Sequence, residues 1–166
     1  MKRIFLLTIL SVLLMGCCLV RKTPINQTDK DGKRTGHWVK YWNDTLKLKL
    51  YDGYYADDRE VKTCTYFHPN GKPSVRFKYG KNRIKVTFSE PDGKPIQKGY
   101  SRIVYTTDSI AYYYHGIWKF YENGKLQKVS RYEHSHETYI LKERLASGKM
   151  KRYRPAKKLE VVPEKK

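Results

Sequence analysis

The sequence predicts an all-β protein, an elongated single-layer antiparallel sheet of repeated β-hairpins, and three observations carry that prediction. From Cys17 onward the chain holds 22 Phe, Trp or Tyr against 24 Ile, Leu or Val. That ratio suits half-buried strands, where aromatic and β-branched side chains pack across neighbours, better than close-packed amphipathic helices. Apolar and polar residues also alternate: Leu46, Leu48 and Leu50 stand opposite Lys47 and Lys49, and Val75, Phe77 and Tyr79 opposite Arg76 and Lys78. A period of two places one set on a packed face and the other on a solvated, basic face. Finally, aromatic segments run into Asn70-Gly71, Asp92-Gly93 and Asn123-Gly124, each followed by Lys. Asn, Asp and Gly tolerate the positive φ that a tight hairpin turn requires.

Length and charge bound the function. The chain has 166 residues, room for one modest domain, which excludes a large multidomain enzyme. With 35 Lys and Arg against 16 Asp and Glu its formal charge is +19, which favours anionic partners.

Taken in chain order, Lys2 and Arg3 precede an apolar run from Ile4 to Met15 broken only by Thr8 and Ser11. This is the layout of a secretory signal peptide, assigned to residues 1–16. The run ends in Leu14-Met15-Gly16-Cys17, which resembles the bacterial lipobox, where a small residue precedes a cysteine that is diacylated on sulfur and becomes the mature N-terminus. The resemblance implies that Cys17 is a lipid anchor, and several acyl chains on one residue satisfy the two-signal condition for stable membrane attachment. The competing reading is one uncleaved transmembrane helix over Ile4 to Val20, at the short limit for spanning a bilayer. Gly16, Cys17 and Cys18 suit a processing site better than a lipid-facing wall. The segment after the anchor carries no acidic cluster, and the expected location is the bacterial cell envelope, membrane-anchored and facing the periplasm. Cys18 and Cys64 are the remaining cysteines; they either pair in that oxidising compartment or leave Cys64 as a small buried thiol on a strand.

Residues 17–31 read as a lipid-anchored flexible tether, because Pro24, Asn26, Gln27, Thr28, Asp29, Lys30 and Asp31 show no apolar period. A repeat β domain is assigned to 32–140. Its first unit is Gly36-His37-Trp38-Val39-Lys40-Tyr41-Trp42, its second Thr65-Tyr66-Phe67-His68-Pro69-Asn70-Gly71-Lys72, its third Val86-Thr87-Phe88-Ser89-Glu90-Pro91-Asp92-Gly93-Lys94, and its fourth Gly116-Ile117-Trp118-Lys119-Phe120-Tyr121-Glu122-Asn123-Gly124-Lys125. The first unit has Thr45-Leu46 where the others have Asn-Gly or Asp-Gly, and Gly99 to Tyr114 reads as an irregular insertion. The shared pattern resembles the MORN-variant repeats (membrane occupation and recognition nexus) of the bacterial YwqK-type antitoxin-like proteins. The resemblance covers Gly32 to Tyr132 and is clearest at Gly116, Trp118, Tyr121, Asn123, Gly124 and Lys125. It implies successive hairpins with stacked aromatics and no catalytic residues. From 141 to 166 the chain reads as a basic, largely disordered tail, with ten Lys or Arg from Lys142 onward against Glu143, Glu160 and Glu164. Ile140 to Met150 reads as a short helix or strand capping the open sheet edge.

No acid and base pair stands out, and no Gly-x-Ser-x-Gly, P-loop or Cys-x-x-Cys pattern is present. The chain is therefore read as a non-enzymatic binding or scaffolding module, with no catalytic residue, metal or cofactor assigned. Its contact surface is assigned to Trp38, Tyr41, Trp42, Trp118, Phe120 and Tyr121 for apolar anchoring. Arg144, Lys149, Lys151, Arg152, Arg154, Lys157 and Lys158 are assigned to anionic attachment. The expected partners are the membrane through the lipid anchor, a protein of the envelope, and anionic lipid or glycan. Interleaved Lys, Arg and aromatics also suit nucleic acid, but export argues against it. A cytoplasmic antitoxin-like or nucleic-acid-binding role requires an unprocessed N-terminus. An envelope-polymer hydrolase or metal enzyme has only His134, His136 and Glu137 as a nucleus, with two imidazoles on one strand face.

Overall fold

The computed structural model describes residues 24–105 and 110–159. Cys17, Cys18, the signal segment and the last residues of the tail lie outside the described residues. Eleven strands follow in order: β1 (Gln27–Thr28), β2 (Arg34–Asn43), β3 (Leu48–Ala56), β4 (Arg59–Phe67), β5 (Pro73–Tyr79), β6 (Ile84–Ser89), β7 (Pro95–Tyr105), β8 (Ile110–Glu122), β9 (Lys125–Glu133), β10 (His136–Arg144) and β11 (Met150–Lys158). Each strand pairs only with its sequence neighbours, always antiparallel, so the chain forms one open sheet of consecutive hairpins. The all-β prediction is met.

One turn is used four times. In each, the first residue's N–H donates to the carbonyl four residues on, and a glycine's N–H donates back to the first residue's carbonyl. The pairs are Asp29 with Lys33 (2.9 Å), His68 with Lys72 (2.8 Å), Glu90 with Lys94 (2.8 Å) and Leu145 with Lys149 (2.9 Å). The glycines, Gly32, Gly71, Gly93 and Gly148, take φ between 77° and 92°, which only a residue without Cβ adopts at no cost. Asp29, Asn70 and Asp92 each accept a backbone N–H through the side chain and so lock the bend. Asn123 and Gly124 form the tighter two-residue turn, both with positive φ.

One of these turns straddles the start of the domain that the sequence delimits, and another lies past its end. Asp29 to Lys33 folds β1 onto β2, so the stretch assigned to a flexible tether contributes an edge strand, and Asn26 bonds Val39 through both its amide atoms. Leu145 to Lys149 folds β11 onto β10, so residues 150–158 of the tail assigned to disorder are a strand in register with Tyr139 to Arg144. The Lys and Arg content hid this strand: at a sheet edge, charged side chains are solvated while the backbone still pairs. Gly99 to Tyr114, expected as an irregular insertion, is mostly regular β7 and β8. Leu46 and Leu48, expected on the packed face, are 66% and 36% exposed: Leu46 precedes β3, and the buried side chains of β3 are Tyr51 and Tyr55, one position out of step with Leu48.

The core occupies one face in two clusters. Tyr51, Tyr55 and Cys64 form the first, with Trp38, Tyr66 and Tyr79 against it; Ile84, Val86 and Trp118 form the second, which Tyr79 also touches. A cleft of about 210 Å³ on this side collects Tyr55, Glu60, Tyr79, Ile103 and Tyr112. These come from β3, β4, β5, β7 and β8, and side chains from strands spaced about 4.8 Å apart meet only if the packed face is concave. Gly99 makes room for the largest core side chain: a Cβ there would run into the Trp118 ring. Trp118 stacks on Tyr114 at a centroid distance of 3.8 Å and donates from Nε1 to the Tyr100 carbonyl at 2.7 Å.

Candidate functional site: a cationic sheet face

The strand period leaves the opposite face to the polar set, and the registers align it across the sheet. Asp52, Thr65, Arg76, Thr87, Lys98 and Lys119 stand side by side on β3 to β8, flanked in the same row by the buried Val39 on β2 and Val129 on β9. One pleat away lie Thr63, Lys78, Lys85, Tyr100 and His115. Adjacent strands are about 4.8 Å apart, so Arg76, Lys78, Lys85, Lys98 and Lys119 make a dense cationic lattice. No carboxylate interrupts it: β5, β6 and β7 contain no Asp or Glu, and β8 only the terminal Glu122.

Ion pairs lie elsewhere, joining Lys33 to Asp57 (2.6 Å), Arg34 to Asp58 (2.8 Å), Lys49 to Asp52 (2.5 Å), Lys94 to Asp92 (2.6 Å) and Lys128 to Glu137 (2.9 Å). Among the described residues none of the five lattice cations is within ion-pair distance of a carboxylate. One of the five has an aromatic neighbour, Lys98, whose Nζ is 5.0 Å from the Tyr121 ring centroid, and beside the lattice Arg83 Cζ is 4.3 Å from that of Tyr100. A shallow depression of about 440 Å³ opens between β6 and β8, lined by Lys85, Lys98, Gly99, Tyr100, Ile117 and Lys119.

The six aromatics assigned to apolar anchoring do not form one patch. Trp118 is 0% exposed and is corrected to a core residue. Trp38 and Phe120 pack on the two core clusters. Trp42 is 49% exposed near the β2 end, where it donates to the Phe67 carbonyl, and Tyr41 lies under Lys47. Only Tyr121 belongs to the cationic face. Of the assigned tail cations, Lys149, Lys151, Arg152, Arg154, Lys157 and Lys158 are exposed on and beside β11. Arg144 is corrected to a brace: its Nε donates to the Leu126 carbonyl at 3.0 Å and its guanidinium to the Gly148 carbonyl at 2.5 Å. The turn residues Asn70, Gly71, Asp92, Gly93, Asn123 and Gly124 all lie in turns.

His134 and His136 do not share a strand face. His134 and Ser135 have positive φ and form the β9–β10 turn, while Glu137 is paired with Lys128. Among the described residues no three His, Cys, Asp or Glu side chains gather as metal ligands. Cys64 is a free, fully buried thiol whose pKa burial pushes up. Beside it, burial also raises the phenols of Tyr51, Tyr66 and Tyr79, and Tyr66 and Tyr79 donate to Glu60 at 3.0 and 2.5 Å. Burial raises Tyr132 to about 12. Partial burial works against the Asp52 carboxylate, yet hydrogen bonds from Lys49 and His37 outweigh it and hold its pKa below the usual carboxylate value.

Sequence reasoning missed the lattice because the alternation was visible but the registers were not. The missing signal was the scarcity of Asp and Glu, absent from Pro73 to Ser89 and represented from Pro95 to Tyr121 by Asp108 alone. Comparison with known proteins adds no identification: no protein-family model matches the chain, and neither a curated protein nor a solved structure matches it.

Proposed function

We propose that this protein is a membrane-anchored lipoprotein of the bacterial envelope. It acts as a non-enzymatic binding module that presents the cationic sheet face, and secondarily the charged β11 edge, to an anionic partner. One observation carries the reading: Arg76, Lys78, Lys85, Lys98 and Lys119 lie on adjacent strands with no carboxylate among them. Crowding like charges works against the folded state, and cross-strand like charges are destabilising, so packing gives no reason for the array. A bound polyanion offsets that repulsion. The sequence before the domain supports the location, because a charged n-region, an apolar run and Gly16-Cys17 are the features a lipoprotein-processing system reads.

The surface reading is tested by measuring retention of the full chain on an anionic matrix against salt. The affinity is expected to fall linearly with the logarithm of salt concentration, as counterion release requires, and salt-insensitive retention overturns it. The location is tested separately by the mass of the mature N-terminus, which is acylated Cys17 if the reading holds and an intact Met1 if it fails.

A further inference from the structure

We propose that the depression between β6 and β8 is a binding site for a linear polymer of carboxylated sugars, with Lys85, Lys98 and Lys119 as its anion contacts. The proposal rests on the binding-module reading and supplies the chemistry of its partner. The three lysines line a concavity of about 440 Å³, each ending in an ammonium group. Each is a compact charge with three donors, suited to single carboxylates that arrive at intervals.

The cation row continues past the depression to Arg76 on β5, so the footprint is that of a chain crossing the strands, longer than one small anion. Ile117 supplies apolar surface within it, against which the C–H face of a sugar ring can lie.

Two alternatives fit less well. Nucleic acid on an open sheet stacks its bases on free aromatic faces, but here Arg83 lies over Tyr100 and Lys98 over Tyr121. An extended acidic peptide gains most of its affinity by pairing with a sheet edge, whereas β5 to β8 are paired on both sides. Recognition at this site is therefore through side chains, across strands, by charge and shallow apolar contact.

The test uses the full chain carrying Cys17→Ala, so that no acyl chain contributes, with polygalacturonate as the probe. Dextran, polyglutamate and single-stranded poly-dT are the comparators, all at one ionic strength. Polygalacturonate is expected to bind more tightly than any comparator. The triple variant Lys85→Gln, Lys98→Gln, Lys119→Gln is expected to lose about tenfold in affinity, since each exposed charge contact contributes a few tenths of a kcal/mol. Removing the same charge at Lys30, Lys40 and Lys125, which are exposed and outside the depression, is expected to cost less than twofold. Equal losses in the two triple variants overturn the site and leave only net charge. Tighter binding of poly-dT or polyglutamate overturns the sugar assignment. Melting curves accompany each variant, and Lys119→Glu alone, expected to weaken binding several-fold, takes the place of the triple variant if that protein does not fold. The mass of the mature N-terminus is read independently, so an unacylated Cys17 overturns the membrane anchor without touching this result.

Discussion

Trp118 and Gly99 form a single device, a large ring laid across a backbone that has no side chain. Gly99→Ala places a methyl inside the ring and is expected to cost about 1–3 kcal/mol, the usual range for overpacking. Trp118→Ala opens a cavity and costs about 3–5 kcal/mol. Denaturant melts of the two variants check both values, and a neutral Gly99→Ala would show that the ring lies elsewhere. At Gly124, φ is 76°; Gly124→Val is expected to destabilise the β8–β9 hairpin by about 1–2 kcal/mol, because a β-branched residue resists the left-handed region, and an unchanged melting temperature would count against the turn. The sequence makes Gly124 legible, since Asn-Gly announces its turn. Gly99 was not legible, because its role depends on a ring brought over it from the neighbouring strand.

At the scale of elements, β11 separates the two accounts of the C-terminal region most sharply. A disordered tail contributes nothing to stability, whereas here β11 covers the β10 edge from Tyr139 to Arg144, and Tyr153 donates to Glu143. Truncation after Ser147 is expected to lower the melting temperature, and an unchanged value would contradict the strand. Hairpins were legible wherever Asn-Gly or Asp-Gly sat between alternating runs. The turns at Asp31-Gly32-Lys33 and Ser147-Gly148-Lys149 carry the same Gly-Lys ending, but their surroundings are polar, and polarity read as disorder masked them. An edge strand needs backbone pairing on one side and little apolar surface, so composition is a weak guide to it.

The whole molecule is a sheet with two unlike faces, and its pH response follows from that division. Tyr132 is raised to about 12 by burial, with Tyr51, Tyr66 and Tyr79 raised as well. A phenol whose folded pKa lies above its unfolded value of about 10 contributes stability fully below that pH, and the contribution is lost as pH rises through the folded value. Stability is therefore expected to fall on the alkaline side, with the buried phenols ionising only as the protein unfolds, which phenolate absorbance followed alongside circular dichroism checks. Asp52 acts in the opposite direction: its lowered pKa adds stability above the ordinary carboxylate value of about 4 that is lost as pH falls through the folded value. Asp52 lies at one end of the cationic face, paired with His37 and Lys49, whereas among the described residues Arg76, Lys78, Lys85, Lys98 and Lys119 have no carboxylate partner and are free to serve a bound anion. The central claim is that this face, rather than the concave packed side or the C-terminal edge, meets the partner, and lysine acetylation footprinting of the full chain with and without a bound acidic polymer tests it most directly. Protection is predicted at Lys78, Lys85, Lys98 and Lys119, with Lys30 and Lys125 unchanged; protection confined to Lys149, Lys151, Lys157 and Lys158 would contradict it.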